Sequence, residues 1–492
     1  MDYDDDFDMS YQDDDNFVEP KKRVCNFRPS RRGLMWFLLS IAFVSSTTNN
    51  AFLPSFFLFV QHMGACHATA LWQGVGLSLQ SLGQFLASLV FVKLEKTMSH
   101  SKLLLIALSL ELLGNLLYAI SGSLWLLLPS RFIQGLGSSV IIITRRYLLL
   151  TASDAKSMEV PHFFSMIQSL AYMTGPLIAA ALSLVNVHIF GPLYFDMFTA
   201  PAYVCAFLNL LCIISIFVMY RSLPEVEERE EEEDLLETDG SAYPEETTGS
   251  MRFISVAGFA SKAGLYSLIG LFVICTQTFV FFETTIPPTT QSHFGWGTPS
   301  SLNLVDNCQS KGISKDTYSD GVLLNGGLFV LCGVFHAAFS FLFTRLNRVK
   351  IRRVRSVPRL YLLVSWLMMM LGCLILVSWG FHYALWRYVL GLIILISCGF
   401  SVTQKQILEL YSHVMHAGKS RTQAIVWLMN AGALARIIGP IVIGLLFSLS
   451  GLDLVVTLMF DLLAVGFALL SIGWRSIVPP FVAFNQNDSS MN

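Results

Sequence analysis

Twelve apolar runs, each about long enough to cross a bilayer as a helix, recur along the chain with polar breaks between them. They are read at 34–62, 70–92, 103–121, 124–147, 161–186, 198–220, 262–287, 321–344, 359–380, 384–404, 422–447 and 452–474. In hydrocarbon every backbone N–H and C=O must be satisfied within the segment, so such runs fold as helices. The tenth run is read as continuing through 405–416 or stopping before it. Composition agrees with a membrane solvent. Only 13% of the 492 residues are charged, where soluble domains carry about 25%. The charges are also segregated: nine of the 34 acidic residues lie in 1–20 and twelve in 225–246.

Lysine and arginine crowd alternate breaks, at Lys21–Arg32, Lys93–Lys102, Arg145–Lys156, Arg345–Arg359 and Lys419–Arg421. The remaining breaks hold almost none, namely Lys311, Lys315 and Arg387. The positive-inside rule then places both termini and the break at 221–262 in the cytosol. The chain opens MDYDDDFDMS, acidic where a secretory signal peptide is basic. The resulting layout is a cytosolic tail (1–33), a six-helix bundle (34–220), an acidic linker (221–261), a second six-helix bundle (262–476) and a cytosolic tail (477–492). The linker is highly charged and nearly free of aromatics, so it is read as disordered.

An internal repeat supports the division. Arg131-Phe132-Ile133-Gln134-Gly135-Leu136 in the fourth span corresponds to Arg387-Tyr388-Val389-Leu390-Gly391-Leu392 in the tenth. Gly175-Pro176 in the fifth corresponds to Gly439-Pro440 in the eleventh. These pairs are ordered alike in equivalent spans, as expected of a duplicated six-helix unit with the solute site between its halves. Gly175-Pro176 and Gly439-Pro440 are both read as helix breaks.

Arg436 is the costliest residue of the eleventh span, near mid-depth, where an arginine costs about 2.5 kcal/mol or more. Two readings stand beside each other. One is a salt bridge to a neighbouring span; the other is a ligand for an anion, whose acceptors match the guanidinium fork. Glu283 in the seventh span is the counter-charge or a proton acceptor. Arg131 is a substrate or coupling residue, or else bonds Glu111 in the adjacent span. Asp461 is read as paired locally. Asn49, Asn50, Tyr172, Gln277 and Asn325 are the polar positions from which the cavity lining is drawn. Gln80, Gln84, Gln168 and Asn430 are read as interhelical hydrogen-bonding glue. His62 and His293 face the lumen, as pH sensors or as surface histidines.

No phosphate-binding glycine loop, nucleophile elbow or Cys/His metal spacing occurs, so neither enzyme nor cofactor is expected. Nor is there a basic patch with interleaved aromatics, which argues against nucleic acid. Of nine cysteines, only Cys66 and Cys308 fall in far-side loops, either bridged or as two thiols. The sequon at Asn487 lies in the cytosolic tail.

Arg131, Gln134, Gly135 and Gly137 match the R-x-x-Q-G-x-G motif of the major facilitator superfamily, which the chain resembles, and Gly175-Pro176 matches its fifth-helix motif. The basic loop Val92-Lys93-Leu94-Glu95-Lys96 lacks that superfamily's glycines and aspartate. Further stretches resemble the lysosomal major facilitator domain-containing protein 8 family of the neuronal ceroid-lipofuscinosis type. They are Ser81-Leu82-Gly83-Gln84, Asn115-Leu116-Leu117-Tyr118-Ala119, Asp196-Met197-Phe198-Thr199-Ala200-Pro201, Phe282-Glu283-Thr284 and Ala435-Arg436-Ile437-Ile438-Gly439-Pro440. The resemblance implies an all-α, twelve-helix membrane protein in two pseudo-symmetric halves, in lysosomal or late endosomal membranes, with chloride conductance as one family activity. Glu231, followed by Leu235-Leu236, resembles the acidic dileucine signal read by clathrin adaptors. The functional expectation is a carrier of a small, anionic solute, with protons as an alternative coupling partner. Its rivals are an anion channel on the same fold and a non-transporting protein acting through its cytosolic segments.

Overall fold

The computed structural model describes residues 31–64, 68–95, 97–151, 160–185, 187–190, 193–219, 250–298, 315–350, 357–378, 383–414 and 419–474. Cys66, Cys308 and the Glu231, Leu235, Leu236 signal lie outside them.

Among the described residues, ten helical stretches are long and apolar enough to cross a membrane. One of them lies in the helix Lys419–Gly473, which runs for 55 residues. At 1.5 Å per residue, a straight helix of that length would reach about 80 Å, well over twice a bilayer core. It is two spans folded back at Gly451, whose φ of 71° and ψ of −156° leave the helical region. Positive φ is cheap for glycine and costly for residues with a Cβ. The first span is in two pieces, Arg31–Ala51 and Leu53–His62, with Phe52 between them. Pro54 opens the second piece, and it lacks the N–H that would bond the Asn50 carbonyl. Counting both features, the described residues hold twelve spans.

Spans two to six are Thr69–Leu94, His100–Ala119, Leu124–Gly137 continued as Val140–Thr151, Val160–Leu182 and Ala200–Met219. Spans seven to nine are Ser250–Phe294, Lys315–Lys350 and Val357–Leu376. Span seven thus begins inside the stretch that the charge pattern reads as linker. Span ten is continuous from Leu385 to Val414, with Ile393–Phe400 wound as a π-helix. A short antiparallel hairpin, β1 (Val187–Phe190) and β2 (Leu193–Phe195), joins spans five and six.

The halves meet along two seams, span two against span eleven and span five against span eight. Small residues make each seam close. Gly74 packs on the Pro440 carbonyl, and Gly326 packs on Ala180 and the Pro176 carbonyl. These two contacts are equivalents under the internal repeat. The Gly-Pro pairs are therefore not helix breaks, which corrects that expectation. Spans five and eleven stay helical through Pro176 and Pro440, because neighbouring helices brace the backbone there. Their glycines serve close approach: Gly175 to Asn50 and Ala51, Gly439 to the Gln277 side chain.

Candidate functional site

A central cavity lies where spans one, two, four, five, seven and eleven converge. Its polar lining is Ser46, Asn49 and Asn50 of span one, Gln80, Ser81 and Gln84 of span two, Gln168 and Tyr172 of span five, Glu283 and Arg436. Leu53, Leu77, Ile141, Val280 and Pro440 close its apolar sides. The remaining space is about 60 Å³, room for a few waters. Sites that enclose an organic ligand run to roughly 300–1,000 Å³. The small volume has a structural cause, since the halves touch at both ends of the bundle. At the end where spans one and twelve meet the chain termini, called the terminal face, the Ser88 hydroxyl donates to Asn430 Oδ1 at 3.2 Å. At the far face, Gln291 Nε2 donates to Gln61 Oε1 at 2.7 Å, and the Ser319 hydroxyl donates to the Ser183 carbonyl at 2.8 Å.

Arg436 reaches the cavity from span eleven. Its Nη2 donates to both oxygens of Glu283, at 3.0 and 3.2 Å. Glu283 is 7% exposed and Arg436 is 35% exposed at the side chain. The remaining guanidinium nitrogens, Nε and Nη1, have no hydrogen-bond partner among the described residues. The Phe279 ring lies 5.7 Å from the guanidinium carbon and packs at a tilt beside Tyr172, centroids 4.5 Å apart. Three prolines mark this neighbourhood. Pro54, Pro176 and Pro440 each remove the donor to the carbonyl four residues earlier, which are Asn50, Tyr172 and Arg436. All three of those residues line the cavity.

The reading of Arg131 as bonded to Glu111 is corrected. Arg131 is fully buried and does not pair with Glu111. Its Nη1 donates to Gln134 Oε1 and its Nη2 to Gln80 Oε1, each at 2.5 Å. The rings of Phe52, Phe56 and Tyr118 surround the guanidinium at 4.9 to 5.8 Å. Gln80 Nε2 in turn donates to Asn49 Oδ1 at 2.8 Å. An amide relay thus carries the polarity of Arg131 to the cavity wall. Gly135 makes this possible by packing on the Gln80 backbone, so the motif's glycine sets the distance its arginine must span.

Glu111, also fully buried, accepts from the Ser45 hydroxyl at 3.0 and 3.1 Å. The reason Arg131 and Glu111 do not meet is rotational. They project from their helices toward different neighbours, span two for Arg131 and span one for Glu111.

The structure brings Arg436, Glu283, Tyr172, Asn49 and Asn50 together. It places Gln277 and Asn325 outside the cavity lining. Gln277 packs on Gly439, and Asn325 accepts from the Thr290 hydroxyl at 2.6 Å, joining spans seven and eight. Gln80, Gln84 and Gln168, read as glue, face the cavity instead. Ser46 was not singled out, although the run Ser45-Ser46-Thr47-Thr48-Asn49-Asn50 is the densest polar stretch of any span. Asp461 stands exposed on span twelve without a hydrogen bond or ion pair among the described residues, contrary to the local pairing expected. His62 and His293 sit among aromatic rings at the far face. The degraded basic loop fastens one half to itself: Glu95 meets His100 and Arg146, each at 2.6 Å.

The family model of the Major Facilitator Superfamily matches residues 35–440. The Major facilitator superfamily domain-containing protein 8 of Xenopus laevis is 22% identical over 471 residues, covering 89% of this chain and 90% of that protein. The crystal structure of the human organic anion transporter MFSD10 (TETRAN) superposes with a TM-score of 0.57 at 17% identity, covering 90% of this chain and all of that one. A bacterial homologue of the human lysosomal transporter Spinster, inward-facing and unoccupied, gives 0.63 at 12% identity, covering 92% and 98%. With its twelve spans, two seams and central cavity, the chain is a multi-pass membrane protein of the major facilitator superfamily.

Proposed function

We propose that the protein is an endolysosomal carrier of a small anionic solute, working by alternating access, with both termini and the 221–261 linker in the cytosol. One observation carries the anionic reading. Arg436 faces the cavity with Nε and Nη1 unused, while one nitrogen alone engages Glu283. Arg131 adds a second positive charge one relay behind the wall, and its field also reaches Glu283. Two guanidinium groups thus bear on one carboxylate, leaving the centre net positive in a medium of low dielectric. The solved human neighbour is named an organic anion transporter, which agrees with this reading. The endolysosomal setting draws on the protein 8 relative and on the dileucine pattern at Glu231, Leu235 and Leu236, through which clathrin adaptors would act.

The closed rims support alternating access. An organic solute does not fit the present space, so one rim must open to admit it and the other to release it. Uptake of radiolabelled monocarboxylates and dicarboxylates into proteoliposomes tests the carrier reading. Saturable uptake by the wild type, cut about 100-fold by Arg436→Gln in folded protein, is the expected result; uptake indifferent to Arg436→Gln sinks it.

A second reading, an anion channel, is favoured by the size of the cavity alone, which admits a monatomic ion as it stands. Ion-current recording in whole endolysosomes separates the two, because a channel passes ions far faster than a carrier turns over.

A further inference from the structure

We infer that Arg145 forms a second anion subsite, between the central cavity and the terminal face, suited to a halide or a carboxylate. It rests on the anion reading of the cavity and adds a residue and a position to it. Arg145 lies on span four one turn beyond the cavity-lining Ile141, on the side of the terminal face. It is 9% exposed. Its Nη1 donates to Met429 Sδ at 2.8 Å, and the Phe164 ring lies 4.9 Å from its guanidinium carbon. A thioether is a weak acceptor and carries no charge. Nε is buried without a partner, and Nη2 makes no hydrogen bond among the described residues. No carboxylate of the described residues lies within 4 Å.

A buried cation compensated only by sulfur and a ring face is poorly satisfied, and burial makes that costly. The Nε of Arg131 and of Arg146 also lacks a hydrogen bond, but those side chains, like Arg436, have an oxygen partner that Arg145 lacks. Arg146 meets Glu95, Arg436 meets Glu283, and Arg131 holds two amide oxygens. At Arg145 the unpartnered edge is the Nε–Nη2 side, whose two parallel N–H groups match a carboxylate bidentately. The Met429 contact also crosses between the halves, from span four to span eleven. Met429 lies seven residues before Arg436, about 10 Å nearer the terminal face along span eleven. Parting of the halves at that face would remove the sulfur and present the guanidinium to an anion leaving the Arg436 site.

Bromide diffraction from crystals of the full chain tests the subsite, alongside thermal unfolding in bromide against gluconate at equal ionic strength. The expected result is bromide at both Arg145 and Arg436. Arg145→Gln should lose the first ion, keep the second, and raise the half-stabilising bromide concentration about tenfold, the loss of one charge-assisted contact. Arg145→Lys should show a smaller rise. Bromide at Arg436 alone overturns the Arg145 subsite and leaves the cavity reading intact. Bromide at Arg145 alone keeps the subsite and overturns the cavity reading, and bromide at neither overturns both. If Arg145→Gln and Arg145→Met both fail to fold, the residue is a strut between Phe164 and Met429 and the subsite is overturned.

Discussion

Arg131 and Arg436 are the same residue type on inward-facing helices of opposite halves, yet their surroundings are opposites. Arg131 is sealed, with amide oxygens at both ends of its fork and three aromatic rings around it. Arg436 is one-third exposed and shares a single carboxylate through a single nitrogen. The first has both ends of its fork held by amide oxygens, with Nε alone lacking an acceptor; the second has Nε and Nη1 left over. A buried arginine is thus not a binding residue by virtue of being costly. What matters is whether the unused N–H groups reach the cavity, as those of Arg436 do and the buried Nε of Arg131 does not.

The sharpest way to break that contrast is to truncate each centre. Arg131→Ala should destabilise the protein by about 3 kcal/mol or more, since it strands Gln80 and Gln134 and empties an aromatic cage. Arg131→Lys should recover little of this, because one ammonium cannot serve two acceptors in the guanidinium geometry. Thermal unfolding in detergent reads both effects, and a mild loss would mean the cage is not structural. Arg436→Gln should instead act on transport. Uptake is expected to fall about 100-fold, roughly 2.7 kcal/mol at the level of a charge-assisted hydrogen-bond pair.

Stability separates the pair from its ligand role. Arg436→Gln leaves Glu283 buried without its cation, at a cost of about 2 kcal/mol. Adding Glu283→Gln should restore most of that stability and none of the uptake, a cycle that isolates their coupling. Recovery of uptake in the double variant would make Arg436 a structural partner of Glu283 and nothing more.

A smaller effect is expected at the seams. Gly74→Ala drives a Cβ into the Pro440 carbonyl, whereas Gly326→Ala meets chiefly the Ala180 methyl at 2.7 Å. The first should destabilise the closed state by about 1–3 kcal/mol and the second by less, read as lost cysteine cross-linking across the far rim. Smallest of all, Glu111→Gln should shift stability by under about 1 kcal/mol, because Ser45 can satisfy an amide as well as a carboxylate.

Much of the fold was legible before any coordinates. The apolar runs located the spans to within a few residues at most ends, and the repeat announced equivalent halves. The failures have identifiable causes. Gly-Pro pairs look like breaks in an isolated helix, but in the bundle Gly74 and Gly326 pack against the Pro440 and Pro176 carbonyls and the helices run on through both prolines. Span seven starts at Ser250, within a stretch whose neighbouring acidic run reads as linker. At the site, Arg436, Glu283, Tyr172, Asn49 and Asn50 stood out as polar positions in apolar helices. Gln277 and Asn325 stood out for the same reason, and they face other helices instead. No pattern within one span distinguishes these cases.

By itself, the sequence determined that the chain spans a membrane, how often it does so and that its halves are related. The first two follow from transfer energies summed over local stretches and the third from motifs matched in order along the chain, and none needs a spatial neighbour to be evaluated. It also determined that Arg436 requires a partner, because a charge at mid-depth is costly wherever the helix packs. Tertiary structure alone decided which partner. Arg436 meets a carboxylate 153 residues away, and Arg131 meets an amide 51 residues away instead of Glu111. Such choices depend on the rotation and tilt of each helix against its neighbours. Packing between distant segments sets these, and the difference between a satisfied and an available guanidinium is a rotation of this kind.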